Sequence, residues 1–201
     1  DSLLYLKKAS DKWLIEAIYR YAKILIEGDA GILSDVKEGS KYLHIAADKG
    51  HLEAISDYAT LLKEGKGIPV DPEGAVIYYK IGIEKGSDLS MEGYGDMLAV
   101  GKGIPSDIEE ALKYFQMAID KENAKAMNDY AFYLKFRKNV PVDYHLQIKL
   151  YKKAILLGRS DAMVNYGKML ELGEGVPKNI PEAIKYYKES IDTIQYDIVT
   201  D

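Results

Sequence analysis

Apolar residues recur along this chain at the three- to four-residue spacing of amphipathic helices, and short polar segments interrupt them. In residues 52–62, leucine, isoleucine, alanine and tyrosine side chains fall at this spacing. A second apolar stripe covers residues 75–83 and is followed by Gly86. Between the two stripes lie two glycines, an isoleucine and Pro69, which cannot continue a helix. The pattern predicts a helix, a short Gly-Pro loop, a second helix and a tight turn.

This helical hairpin repeats with a period of 36 residues. Self-similarity at a fixed period of this length is typical of helical hairpins that stack into a solenoid. The sequence therefore predicts an all-α protein, an α-solenoid of stacked helix-turn-helix repeats of about 36 residues. Four columns carry the period: tyrosine (Tyr58, Tyr94, Tyr130, Tyr166), proline (Pro69, Pro105, Pro141, Pro177), a small residue (Ala54, Ser90, Ala126, Ala162) and isoleucine (Ile83, Ile119, Ile155, Ile191).

The columns divide the chain into five repeats, and we expect residues 1–201 to form a single solenoid. Residues 1–16 align with the second half of the next unit, so that Tyr5 matches Tyr42. We therefore expect them to hold the second helix of a preceding, partial repeat, which makes eleven helices in all. Either a longer array or a divergent capping helix accounts for this start. The predicted repeats are 17–53, 54–89, 90–125, 126–161 and 162–197.

Glycines after the first helix of several repeats indicate a left-handed backbone at the helix end. We expect Gly65, Gly101 and Gly173 to adopt this conformation, so that alanine at each costs about 1 kcal/mol. The fourth repeat carries Arg137 and Asn139 in place of the two glycines, which predicts a reshaped loop. From this register, replacing Arg137 with glycine is expected to be neutral or stabilising.

Composition disfavours several classes of protein. Net charge is −5 and only three of the 27 basic residues are arginine, which disfavours a large nucleic-acid footprint. No apolar run reaches the length of a membrane span, so we expect no membrane insertion. The chain has no cysteine and no Asn-x-Ser/Thr sequon. These absences do not identify the compartment and give a slight preference for the cytoplasm over the endoplasmic-reticulum lumen.

The pattern Ala-x-x-x-Tyr-Ala-x-x-Leu-x-x-Gly-x-Gly-Ile-Pro-x-Asp, followed by Ala-x-x-Tyr-Tyr, resembles the Sel1-like repeat family, a relative of the tetratricopeptide repeats. Three of the five repeats carry the Gly-x-Gly loop intact, at 65–71, 101–107 and 173–179. The resemblance implies a right-handed superhelix whose first, or front, helices line the concave face. It also implies an adaptor or scaffold that holds protein complexes together, and it carries no catalytic residues.

The sequence offers no catalytic, cofactor or metal site that outweighs a structural interpretation, and we expect no enzyme activity. The histidines His44, His51 and His145 lack metal-ligand spacing, and we interpret them as surface residues. Ser34 and Lys37 match Ser-x-x-Lys, a nucleophile pattern of penicillin-recognising enzymes, an activity to which some cysteine-rich bacterial relatives have been linked. The partner motifs Ser-Asp-Asn and Lys-Thr-Gly are absent, so Ser34 is better explained as a helix cap.

By resemblance to tetratricopeptide geometry, partner contacts are expected on front-helix residues placed around the tyrosine column. We predict a bipolar groove, acidic in the third repeat and basic in the fourth. Phe132 is expected to be an exposed aromatic anchor contributing about 2 kcal/mol or more, against about 0.5 kcal/mol for each surface charge. The predicted partner-binding residues are Glu92, Asp96, Lys125, Asn128, Phe132, Lys135 and Lys168.

The leading hypothesis is a noncatalytic scaffold or adaptor that binds a peptide segment or protein surface in this groove, as part of a larger repeat protein or complex. The basic residues predict an acidic protein or peptide partner, and no small-molecule substrate or cofactor is expected. Two alternatives stay open. A hydrolase of the penicillin-binding type needs a nucleophile beside a base, and a nucleic-acid-binding helical repeat needs a basic stripe along one set of helices.

Overall fold

A computed structural model describes residues 14–29 and 31–200, with side chains described through residue 193. Apart from an isolated β-bridge, this described part is built from helices joined by short turns and loops, which confirms the predicted all-α solenoid of helical hairpins. The predicted helix of the N-terminal partial repeat lies almost wholly in residues 1–13, outside the described residues. The α-helices are α1 (Ile15–Glu27), α2 (Val36–Asp48), α3 (Leu52–Glu64), α4 (Pro72–Glu84), α5 (Asp88–Val100), α6 (Ile108–Ile119), α7 (Ala124–Tyr133), α8 (Tyr144–Leu156), α9 (Ser160–Leu172) and α10 (Ile180–Thr200).

The helices belong to two compact units, Asp1–Ser106 with α1 to α5 and Asp107–Asp201 with α6 to α10. Odd-numbered helices are the front helices of the repeats, and even-numbered helices are the back helices. Within each unit every helix packs on its neighbours in sequence. Front helices also contact one another, α3 with α5 in the first unit and α7 with α9 in the second. Each unit is therefore a stack of hairpins.

Aspartates cap the back helices α2, α4, α6 and α8. Asp35 caps α2, so the interpretation of Ser34 as the cap is wrong; the Ser34 hydroxyl donates a hydrogen bond of 2.6 Å to the Ile26 carbonyl instead. The four capping carboxylates lie 36 residues apart, and each accepts a hydrogen bond of 2.9 Å from the backbone N–H three residues later. These caps are Asp35, Asp71, Asp107 and Asp143.

Glycines end three front helices and also allow consecutive repeats to approach closely. Gly65, Gly101 and Gly173 have φ angles of 71°, 75° and 76°, which confirms the predicted left-handed conformation. Two residues after each, a second glycine lies against the first turn of the preceding back helix, where a Cβ at Gly103 would collide with the ring of Pro72. The same relationship joins Gly67 to Val36 and Gly175 to Tyr144.

The loop after α7 departs from this arrangement, as its missing glycines predict. α7 ends at Tyr133, and a 3-10 helix follows over Leu134–Phe136. Arg137 is extended, with φ −63° and ψ 131°, whereas Asn139 is left-handed with φ 58°. Arg137 therefore lacks the left-handed conformation of its column, whereas Asn139 keeps that of its own, so the basis for expecting Arg137→Gly to be neutral or stabilising does not hold.

Each unit has its own hydrophobic core between front and back helices. Tyr79, Phe115 and Tyr151 occupy one column of the back helices and are 0%, 0% and 2% exposed. Tyr94 and Tyr166 on the front helices are also buried, and the other tyrosines of the repeat columns are buried less deeply. The columns are therefore core positions, which confirms the interpretation of them as packing residues.

Candidate partner-binding site

The second unit contains an open cavity of about 210 Å³ between the front helices α7 and α9. Three of the predicted partner-binding residues line it, and buried residues of α8 form part of its wall. We call this cavity and its lining the α7–α9 site. Its lining residues are Phe132, Lys135, Gln147, Tyr151, Asn165, Lys168, Met169, Leu172 and Glu174.

An aromatic cluster with a cation on its surface forms one wall of the α7–α9 site. The half-buried ring of Phe132 lies 5.1 Å from the ring of Tyr133 and 5.5 Å from that of Phe136, measured between centroids. The ammonium nitrogen of Lys135 lies 4.5 Å from the centroid of Phe132 and 5.2 Å from that of Phe136. Lys135 is exposed, so this wall offers an apolar surface and a positive charge together.

Two buried side chains of α8 complete the wall. Gln147 takes the place of the alanine found in other repeats, and its amide donates a hydrogen bond of 2.8 Å to the carbonyl of Ala131. This bond joins α8 to α7 directly behind Phe132. Burial raises the pKa of the Tyr151 phenol above its ordinary value, so this side chain stays neutral. The site therefore has a wall with buried, uncharged polar groups.

The accessible charges of the α7–α9 site are mainly positive. Neither Lys135 nor Lys168 has a carboxylate within ion-pair distance in the part of the chain that the structure describes, and both are exposed. Glu174 is the acidic residue of the lining. Nearby Glu171 accepts a hydrogen bond of 2.7 Å from the hydroxyl of Tyr187. Two lysines thus remain available to an anionic partner.

The structure places Asn128 differently from the groove prediction and places Lys125 near a carboxylate of its own helix. Asn128 is 5% exposed, and its amide accepts a hydrogen bond of 2.9 Å from Asn165. It donates to Asp129 at 3.0 Å and to Asp161 at 3.4 Å. Half-buried Lys125 lies 3.7 Å from the Asp129 carboxylate. Asn128 therefore joins α7 to α9 rather than facing a partner.

The two acidic positions of the predicted groove lie in the first unit. Glu92 is only 6% exposed. Asp96 lies 3.0 Å from the ammonium nitrogen of Lys63, a lysine that is itself 8% exposed. Neither carboxylate therefore forms an open acidic surface of the kind that a bipolar groove requires.

A second cavity, of about 220 Å³, lies in the first unit, and its charged side chains pair with one another. Lys23 lies 2.6 Å from Glu27 and 3.4 Å from Asp57. The hydroxyl of Tyr19 donates a hydrogen bond of 3.0 Å to the same Asp57 carboxylate. Because these charges are satisfied internally, this cavity offers less to a charged partner than the α7–α9 site.

Sequence reasoning did not assign Phe136, Tyr151 or Leu172 to the site. Phe136 lies one turn after Phe132, and that spacing was the available signal. Tyr151 belongs to a core column, and only the three-dimensional arrangement shows that its ring also reaches the cavity. Leu172, 53% exposed at the end of α9, carries no signal in the sequence beyond its helical position.

Two of the three histidines, His44 and His51, have structural surroundings. The Nδ1 atom of His51 accepts a hydrogen bond from the Ala54 N–H and so caps α3, and its ring stacks on Tyr19 with centroids 4.4 Å apart. His44 stacks on Tyr58 at 4.7 Å. Within the described residues, no group of His, Asp and Glu side chains could hold a metal ion. No helix among them is both long and apolar enough to pass through a bilayer.

The sequence profile of the Sel1 repeat matches this chain five times, at residues 15–51, 52–87, 89–123, 124–158 and 160–192. The chain belongs to the Sel1 repeat family. Sel1 repeats commonly mediate protein–protein interaction, and proteins of this family are generally scaffolds. No curated protein matches the sequence.

Solved structures share the Sel1 repeat fold. A Sel1 repeat protein from Oxalobacter formigenes matches with a TM-score of 0.82 and 23% identity, over 96% of this chain and 80% of that chain. The protective antigen c5321 of uropathogenic Escherichia coli displays an SLR fold. It matches with a TM-score of 0.75 and 20% identity, over 94% of this chain and 40% of that chain. The immunity protein Pa5087 from Pseudomonas aeruginosa matches with a TM-score of 0.66 and 24% identity, over 89% of this chain and 66% of that chain. The chain thus spans less than two thirds of the last two proteins.

Proposed function

We propose that this Sel1 repeat chain is a noncatalytic scaffold whose α7–α9 site binds an acidic segment of a protein partner. One observation carries the proposal: Lys135 lies on the ring of Phe132 beside an open cavity, and a second exposed lysine, Lys168, lines the same cavity. An apolar side chain of the partner would fill the cavity against Phe132. A carboxylate beside it would meet the two lysines.

The expected energetics separate these two contributions. Aromatic anchors at the centre of an interface contribute about 2 kcal/mol or more. Exposed lysines contribute about 0.2–1 kcal/mol each, and salt screens that contribution. The ring is therefore expected to determine affinity, while the lysines select acidic segments and raise the association rate.

The surroundings of Ser34 support a noncatalytic function over the hydrolase alternative. A nucleophilic serine needs a neighbouring base that accepts its proton. The Ser34 hydroxyl instead donates to the main-chain carbonyl of Ile26, at 2.6 Å. That geometry is typical of a structural serine.

A peptide display selection tests the proposal. A library of random peptides is selected on the wild-type protein, with counter-selection on the variant that carries Phe132→Ala and Lys168→Glu together. We expect enrichment of peptides with one large apolar residue next to aspartate or glutamate. Enrichment of neutral or basic peptides, or equal retention of the selected peptides by both proteins, would show that the α7–α9 site is not the docking surface.

A further inference from the structure

The last back helix, α10, exposes a row of isoleucines. Ile180, Ile184 and Ile191 are 40%, 47% and 55% exposed. Their separations of four and seven residues place all three on one face of the helix. Lys188 lies beside this row and is also exposed. We call these four residues the α10 outer face.

The positions of Ile184 and Ile191 are less exposed in the preceding back helices, whereas Tyr144, at the position of Ile180, is also 40% exposed. Leu112, which lies two repeats before Ile184, is 5% exposed. Val76 and Ile148 in the same column are half-buried, and so are all three earlier members of the Ile191 column. Within each unit, the next front helix packs on the back helix that precedes it. The α10 outer face thus continues the interface between repeats, and no front helix that follows it in sequence lies among the described residues.

Lysines of the preceding back helices indicate which side chain a covering helix would place on this face. Lys80 lies over the ring of Tyr94, with 5.7 Å between the ammonium nitrogen and the ring centroid. Lys152 lies over Tyr166 at 5.2 Å. In both pairs a back-helix lysine contacts the tyrosine of the following front helix. Lys188 is the next lysine of this column, and no ring faces it among the described residues.

The helix that covers this face is not a hairpin turning back directly after α10. Each earlier turn between repeats contains a residue with positive φ, at Gly50 (87°), Gly86 (83°), Glu122 (64°) and Gly158 (83°). The next position of the column is Ile194, a β-branched residue that strongly disfavours this conformation. Accordingly α10 continues past it to Thr200 instead of turning.

We propose that the α10 outer face binds an amphipathic helix of a separate polypeptide. That helix lays apolar side chains on Ile184 and Ile191 and an aromatic ring on Lys188, as the front helix of a Sel1 repeat does in the interior of the stack. This surface is distinct from the α7–α9 site, and the proposal does not depend on it. It gives the scaffold a helix-binding surface at one end of the second unit.

The test uses the helix that covers the equivalent face of α8 as its probe. A synthetic, fluorescently labelled, helix-stabilised peptide with the sequence of Ser160–Leu172 is titrated into the protein, and binding is followed by fluorescence anisotropy. We expect saturable binding, which Ile184→Glu weakens at least about tenfold by burying a charge. Ile77→Glu is the matched control, because Ile77 is an exposed isoleucine of α4, and it should leave binding unchanged.

A double-mutant cycle tests the aromatic contact. Lys188→Ala should weaken binding of the peptide about two- to fivefold. It should have no effect on the peptide that carries alanine in place of Tyr166. Absence of saturable binding, or equal loss with Ile77→Glu, would overturn the proposal. So would a concentration-dependent dimer in sedimentation that Ile184→Glu abolishes, because the face would then pair with a second copy of this chain.

Discussion

The ammonium nitrogen of Lys135 lies 4.5 Å from the centre of the Phe132 ring. The lysine belongs to the 3-10 turn Leu134–Phe136, which replaces the glycine-ended helix of the other repeats. This turn also brings the ring of Phe136 within 5.2 Å of the same ammonium nitrogen. A loop that departs from the glycine pattern of the other repeats therefore builds one wall of the candidate site.

The two loop glycines of one repeat should differ in their tolerance of alanine. Gly101→Ala is expected to cost about 1 kcal/mol, because φ is 75° and the nearest neighbour leaves room for a methyl group after a small shift. Gly103→Ala should cost about 2 kcal/mol or more, since its Cβ also collides with the Pro72 ring. Urea unfolding followed by circular dichroism measures both. A smaller loss at Gly103 than at Gly101 would contradict the described contact between loop and back helix.

Arg137→Gly should destabilise the second unit. The Arg137 guanidinium donates two hydrogen bonds to the Glu109 carboxylate, at 3.0 and 3.2 Å, and the backbone at Arg137 does not need glycine. Loss of this exposed pair and the added chain flexibility together should lower the free energy of unfolding. In a Glu109→Gln background the loss should become smaller. Stabilisation by Arg137→Gly in both backgrounds would show that the loop strains the arginine.

Tyr151 should make the protein sensitive to alkaline pH. Burial raises the pKa of its phenol, so above about pH 10 the unfolded chain releases this proton and the folded chain retains it. The folded state then binds more protons, and its stability falls as pH rises. In Tyr151→Phe, the free energy of unfolding should fall less steeply above about pH 10. Equal slopes for the two proteins, measured by urea unfolding at several pH values, would contradict this explanation.

Local signals in the sequence were sufficient for the architecture. The aspartate caps, the glycine helix ends and the tyrosine columns depend on contacts within one repeat or between consecutive repeats, and such contacts recur with the period. Gly65 illustrates this, because it has the left-handed conformation that its position in the repeat predicts. The reshaped loop at Arg137 was recognisable from the missing glycines, although its 3-10 turn was not.

The candidate site was harder to predict from the sequence, because the position of a residue within the repeat does not determine whether its side chain is exposed. Asn128 and Glu92 hold groove positions in the repeat register, yet both are buried. The amide of Asn128 meets Asn165, 37 residues away, and buried Lys63 meets Asp96 across 33 residues. Neither of these two pairs recurs with the period of the repeat. Only the packing of neighbouring front helices shows which polar groups are already paired.

The central claim is that the α7–α9 site binds an acidic segment, and the affinity of a selected acidic peptide for matched variants tests it most directly. Calorimetric titration should show about 30-fold weaker binding to Phe132→Ala. Lys168→Glu should weaken binding several-fold and reduce its dependence on salt. The control Lys149→Glu, at an exposed position of α8, should bind as the wild type does. Unchanged affinity for both Phe132→Ala and Lys168→Glu, with unaltered helicity, would contradict the assignment and place the partner on another surface.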